Sequence, residues 1–200
     1  MKTAYTSEQF VKFTTLLEQK DSNPERFQLF LTTGVLSDLL DADPSAIDRD
    51  EFRKMIGLPP LVLRFTVDYS LTMEQMIALG QYDWKNDNIT SERFPVKGEG
   101  KKEIVGELVK YGSAMSSEAV LADLDKKGFR PATIEELLAF GAAFPEFQRK
   151  FPIVALGSVA EIHGRRVVAC LGGGDSGRGL GLIWFGGGWV AFCHFLAVRK

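Results

Sequence analysis

The residue types best suited to chemistry crowd into one stretch, Val167 to Lys200, where Gly172, Gly174 and Gly177 spell G-x-G-x-x-G directly after the run VVACL. Such a turn cradles a dinucleotide when a helix N-terminus follows it, and when an acidic residue about twenty positions on takes the ribose. Here the next segment, Gly179 to Phe185, reads as a strand, and no Asp or Glu follows Asp175. A Walker-type loop fails because no lysine follows the glycines. Gly174-Asp175-Ser176-Gly177 matches the surroundings of a serine-protease nucleophile, which needs a histidine base and an orienting carboxylate. The only upstream histidine, His163, belongs to a turn just ahead of the same hairpin. Asp83, Asn86, Asp87 and Asn88 offer oxygens without the spacing of a calcium loop and read as a polar surface turn. Glu135 and Glu136 sit in a first helical turn, where they stabilise the dipole. With no CxxC pair and only His163 and His194, a four-ligand zinc site is not expected. No catalytic residue, metal or cofactor is assigned.

Strands and turns must position this stretch. IVALGSVAEI, RRVVACL, RGLGLIWF and GWVAFCHFLAVR are four strand-like runs from Ile153 onward, separated by Gly-rich or His163-Gly164 turns. Upstream, Leu61 to Tyr69 and Glu103 to Tyr111 alternate as strands, and short helices cover Ser70 to Gly80 and Ser117 to Lys127. Trp84 and Phe94 are expected to pin a long polar loop. Thr133 with Glu136 three residues on forms a capping box that opens a helix carrying Leu137, Leu138 and Phe140. Residues 7 to 57 read as helices: one capped by Ser7 with Phe10, Phe13, Leu16 and Leu17 on a face, one from Asn23-Pro24 to Gly34, and one opened by Asp43-Pro44 and stopped by Gly57 before Pro59-Pro60. The expectation is an α+β chain with a helical N-terminal region over 1–58, a main domain over 61–200 and C-terminal antiparallel β-hairpins.

Composition narrows the functional classes. The 200 residues are 45% hydrophobic and 25% charged with a net charge of -2, so there is no electrostatic pull toward nucleic acid or an acidic membrane. The N-terminus lacks a signal-peptide core and no run is long enough for a membrane span, which makes a cytoplasmic product without membrane insertion the expectation. In that setting Cys170 and Cys193 are expected as free thiols.

What the chemistry does not explain is the filling of the tail. Leu171, Leu180, Leu182, Trp184, Trp189 and Phe195 make an apolar frame, with Leu180, Leu182 and Trp184 on one face of a strand and Gly179, Gly181 and Ile183 on the other. In the last run Trp189, Ala191, Cys193 and Phe195 share a face, while Val190, Phe192 and His194 share the opposite one. An exposed sheet face ordinarily carries Thr, Lys, Glu or Gln, and glycine weakens a strand interior. From Val167 to Arg199 there is no Lys, Glu, Gln or Met, although the first 166 residues use all four. Random replacement of the adenines in asparagine codons reaches Gly, Ser, Ile, Val, Phe, Cys and His but never Lys, Glu, Gln, Met or Trp. Gly172, Gly173, Gly174, Ser176, Gly177, Gly179, Gly181, Ile183, Gly186, Gly187, Gly188, Val190, Phe192, Cys193 and His194 all fall in the reachable set. The two tail tryptophans sit in the frame.

With a frame of Leu171, Asp175, Arg178, Leu180, Leu182, Trp184-Phe185, Trp189, Ala191 and FLAVRK, the tail resembles the variable proteins of diversity-generating retroelements. GFRPATIEELLAF also resembles the GxRxPTxxEL helix entry of their C-type-lectin-like (formylglycine-generating-enzyme-like) fold, with Ala132 beside the threonine in place of the usual residue. The resemblance does not extend to residues 1–60. It implies a variable region at about 169–194 that binds a macromolecular ligand, expected to be a protein, with no catalysis; whether Ala169 and Cys170 vary is left open. Two alternatives remain: a formylglycine-generating-like oxidase using Cys170 and Cys193, and a fixed protein-interaction module.

Overall fold

Thr6, not Ser7, starts the first helix: its hydroxyl accepts the Gln9 amide while the Gln9 side chain accepts the Thr6 amide at 2.8 Å, a reciprocal cap that satisfies two otherwise unpaired donors. In this computed structural model, which describes residues 6–19, 23–43, 52–53, 55–56 and 62–200, the chain divides into two compact units, Met1–Gly57 and Leu58–Lys200. The first unit holds α1 (Ser7–Gln19), α2 (Pro24–Thr32) and α3 (Val35–Asp41). Asn23 caps α2 through its bond to the Glu25 amide. α2 stops at Thr32, beside the end expected near Gly34, and the left-handed φ of 80° at Gly34 turns the chain directly into α3, a helix absent from the sequence reading. On the expected apolar face Phe13 and Leu16 are exposed and Leu17 is half-buried; Phe13 meets Phe27 of α2 at 6.1 Å. Most of the expected third helix, from Asp43-Pro44 to Gly57, lies outside the described residues, as do Pro59-Pro60; Phe52, Arg53 and Met55 are helical.

The second unit is mixed α+β. Its elements are β1 (Leu63–Asp68), α4 (Met73–Leu79), β2 (Trp84–Lys85), β3 (Lys101–Lys110), α5 (Ser117–Lys126), β4 (Phe129–Pro131), α6 (Ile134–Ala143), α7 (Phe147–Lys150), β5 (Ile153–Ile162), β6 (Arg165–Gly174), β7 (Gly177–Trp184) and β8 (His194–Arg199). Polar caps set the helix starts: Thr72 with Gln75 for α4, Ser116 for α5, and Thr133 with Glu136 for α6. Glu136 also takes the Arg130 guanidinium at 2.8 and 2.5 Å, which ties the α6 cap to β4.

All eight strands join one sheet in the order β1-β3-β8-β5-β6-β7-β2, with β4 pairing β8 off this path. His163 (φ 50°) and Gly164 (φ 72°) make the two-residue turn between β5 and β6, where positive φ at both positions matches the strand twist. β5–β6 and β6–β7 are the expected antiparallel hairpins. The last run departs from expectation. Residues 185–193 leave the sheet as a loop, and β8 begins only at His194, lying between β3 and β5 and parallel to the latter. Trp189 keeps one bridge, to Met115.

Both faces of the central strands are buried. One face carries Ile153, Ala155, Ala169, Leu171, Leu180 and Leu196 in a cluster with Leu137, Leu138 and Phe140 of α6 and Met73, Met76 and Ile77 of α4. The other carries Val154, Leu156, Val168, Cys170, Phe195 and Ala197 with Val120 and Leu124 of α5, closed by Phe185, Trp189 and Cys193 of the loop. Trp189 is fixed there by its indole N–H, which donates to the Ser117 hydroxyl at 2.8 Å; that hydroxyl donates in turn to the Phe185 carbonyl. Phe94 is buried as expected, whereas Trp84 is 59% exposed and anchors through its backbone.

Candidate ligand-binding face

The glycine-rich strands β6 and β7 are held by their backbones. Gln148 of α7 donates from its side-chain amide to the Gly172 and Gly179 carbonyls at 2.8 and 3.2 Å, and Arg149 donates to the Gly174 carbonyl at 2.8 Å. Asp83 accepts the Arg178 amide at 2.7 Å, while the Asp83 and Asn86 amides donate to the Arg178 and Leu180 carbonyls at 2.9 Å. Arg178 itself turns inward and is only 8% exposed. Its guanidinium donates to the Gly80 and Gly141 carbonyls and to the Gln148 side-chain oxygen at 2.8, 2.7 and 3.0 Å, and it lies over the Tyr82 ring at 5.2 Å. The frame includes Arg178 in sequence, but its partners are about thirty to a hundred residues away, so its anchoring role was not legible there. On the hairpin the bonds to Gly172, Gly174 and Gly179 are made to peptide carbonyls, and almost any side chain at these three residues leaves them intact.

The tail glycines then differ by what lies in front of them. None of those from Gly172 to Gly188 is among the positive-φ residues, so backbone conformation does not require glycine at any of them. A Cβ at Gly172, Gly174, Gly186 or Gly188 would meet nothing within 4 Å. At Gly179, Gly181 and Gly187 it would make ordinary contact, with the Trp84 ring at 3.5 and 3.7 Å and with the Trp184 carbonyl at 3.5 Å. Two positions break the pattern. A Cβ at Gly173 would stand 2.5 Å from the Gly177 carbonyl, and one at Gly177 would stand 3.0 Å from the Asp83 carboxylate already bound to Arg178. Gly172→Ala is therefore expected to shift stability by less than about 0.5 kcal/mol, and Gly173→Ala to cost about 1–3 kcal/mol through strain, both read by urea unfolding. Equal effects would remove the distinction.

Cross-strand pairs sort the remaining positions. Gly172 faces Gly179, Cys170 faces Gly181 and Val168 faces Ile183, so these six share one face of the sheet. The 185–193 loop buries this face at Val168 and Cys170, and the cover stops at β7, where Ile183 is exposed. Val190 and Phe192 project from the loop, Phe192 being 59% exposed, and Ser176 sits at the exposed two-residue turn between β6 and β7. Gly172, Gly174, Ser176, Gly181, Ile183, Gly186, Gly188, Val190 and Phe192 are thus accessible.

Several expected site residues are placed otherwise. Cys193 is 6% exposed and belongs to the core, because the loop turns back on the sheet at that point. Ala169 and Cys170 are buried too. Trp184, expected in the core, is 51% exposed: it shares the inward face with Leu180 and half-buried Leu182 but lies at the end of β7, and Arg165 stacks on it at 3.7 Å. Ala191 is exposed and does not join Trp189 inside. His194 is the first residue of β8, half-buried, with its amide donating to Pro152 at 2.9 Å and its ring stacked on Phe151 at 3.7 Å.

Burial holds the His194 imidazole below its ordinary value of 6.5; the Phe192 carbonyl opposes this and the Lys110 charge adds to it. The folded protein favours the neutral ring, whereas the unfolded chain takes up a proton as pH falls through 6.5. The contribution is complete above that value and is lost as pH falls from it toward the lower folded value. Stability followed by urea unfolding is expected to decline below pH 6.5, with that part of the decline missing in His194→Gln.

None of the catalytic look-alikes acquires partners. β7 runs antiparallel to β6 directly after the glycines, leaving no helix to face a pyrophosphate. His163 and Ser176 flank opposite ends of β6, roughly 30 Å apart at the rise of a strand. Burial pushes the Cys170 thiol up to about 12 and raises that of Cys193, which disfavours the reactive thiolate in both; both cysteines are free. Among the described residues no group of His, Cys, Asp and Glu could hold a metal ion, and no helix is long and apolar enough to cross a membrane. No protein-family model matches the chain, and neither a curated protein nor a solved structure does.

Proposed function

We infer that this chain is a ligand-binding protein whose C-terminal face is replaceable, carried on a C-type-lectin-like scaffold in the manner of the variable proteins of diversity-generating retroelements. It performs no catalysis, and its ligand is a macromolecule, a protein. One observation carries the reading: the tail glycines adopt φ values open to every L-residue, in strands clamped by Gln148, Arg149, Asp83 and Arg178 through peptide groups. A glycine required by the fold ordinarily shows positive φ or a close neighbour; at Gly172, Gly174, Gly186 and Gly188 there is neither. In this copy contact is left to Ile183, Val190 and Phe192, with Trp84 beside the glycine row. The oxidase alternative is disfavoured by two buried thiols held in their neutral form.

The gene supplies the test. DNA downstream of the coding region is expected to hold a near-copy of the segment encoding the tail, with a reverse transcriptase gene nearby. It should carry asparagine codons at Gly172, Gly174, Gly181, Ile183, Gly186, Gly188, Val190 and Phe192. A locus without such a copy, or a copy differing from the gene at bases other than adenine, would sink the reading.

A further inference from the structure

At the end of the β6–β7 hairpin remote from the Asp175-Ser176 turn, Arg165, Arg166, Trp184 and Gly186 line a cavity of about 310 Å³. The Arg165 guanidinium sits over the Trp184 ring, 3.7 Å from its centroid, and makes no ion pair with any described carboxylate. Arg166 lies over Phe185 at 4.4 Å and reaches Glu118 at 3.6 Å, with both side chains of that pair more than half exposed. Stacking fixes the plane of a guanidinium and leaves its edge donors free, the arrangement that receives a carboxylate on two parallel bonds.

We propose that this cavity is a binding site for a carboxylate side chain of an acidic protein partner. Two cations converge on one small cavity in a chain of net charge -2, which suits a single anionic group rather than a tracked polyanion. One face of the Trp184 ring, where a nucleobase could stack, is taken by the Arg165 guanidinium. An incoming carboxylate meets the unpaired Arg165 directly and competes with Glu118 for Arg166, where a solvent-exposed pair offers little resistance. Gly186 sits at the rim with nothing within 4 Å of a Cβ, so a side chain there would overhang the cavity and select what enters.

The site goes beyond the proposed function, since Arg165, Arg166 and Trp184 lie outside the positions expected to vary and their chemistry holds whether or not the tail is diversified. A chain that binds here without a downstream near-copy keeps the cavity and loses the diversification reading; the reverse result does the opposite.

The test is a titration of the full chain, labelled at the indole nitrogens, with acetyl-Asp-Glu-Asp-Glu-amide, its Asn/Gln counterpart, inorganic phosphate and a short single-stranded DNA. The Trp184 signal is identified by its loss in Trp184→Phe. The acidic peptide is expected to move that signal saturably and more weakly as salt rises, and the neutral peptide to leave it in place. Arg165→Gln should weaken binding about tenfold, with the other tryptophan signals unchanged. Gly186→Glu, which supplies an internal carboxylate at the rim, should weaken it as well and serves independently of how Arg165→Gln folds. Equal response to the neutral peptide, undiminished binding in both variants, or tighter binding of phosphate or DNA than of the acidic peptide would overturn the assignment.

Discussion

Arg178→Met is expected to destabilise the second unit by about 3–5 kcal/mol through its orphaned acceptors, a fall in melting temperature of about 10 °C for a chain of this size. The methionine fills most of the space and restores none of the bonds. The Gly80 and Gly141 carbonyls and the Gln148 side-chain oxygen would be left buried without their donor, and each orphaned acceptor costs about 1–3 kcal/mol. Because the Gln148 amide that Arg178 orients also holds the Gly172 and Gly179 carbonyls, the loss is expected to spread along the hairpin. Arg178→Lys should fall between, since one ammonium cannot reproduce a planar fork aimed at three acceptors. Thermal and urea unfolding of both variants check this. A loss under about 0.5 kcal/mol in Arg178→Met would mean that the hairpin is held by something other than its arginine.

The second large effect is expected at Leu180, which is fully buried between Leu171 across the hairpin and the helices above. Leu180→Ala leaves a cavity in a rigid layer and should cost about 2–5 kcal/mol. At Gly181, one residue on, Gly181→Ala adds only a methyl in ordinary contact with the exposed Trp84 ring and should change stability by less than about 0.5 kcal/mol. Adjacent residues would then differ severalfold in mutational cost, the behaviour a display surface needs from its scaffold. Comparable losses at both would place Gly181 in the core and end the display reading.

Much of the architecture was legible locally. Alternation in RGLGLIWF told which residues of β7 share a face, and the Thr133–Glu136 cap set the start of α6. Gly34 did mark the end of α2, but α3 directly after it was missed because glycine marks a stop and a bend equally well in sequence, and only its φ separates them. The last run was misread as one strand because a loop closing over a sheet with Trp189 and Cys193 has the same alternating apolar pattern as a strand lying in it. Cys193 was placed on the variable face by its codon class, although alternation already put it with Trp189 and Phe195, which are buried beside it.

By itself the sequence determined the direction of the side chains and the division of the tail into a frame and a filling. Both follow from the two-residue period of a strand and from which residue types occur where. The tertiary structure alone decided what stands at the end of each direction: open space before Gly172, a carbonyl before Gly173, a tryptophan ring over Gly181, and three acceptors around Arg178. Direction is a property of the local backbone, whereas the space a side chain enters is bounded by residues brought there from Gly80, Asp83, Trp84, Gly141 and Gln148, and no local pattern encodes that distance.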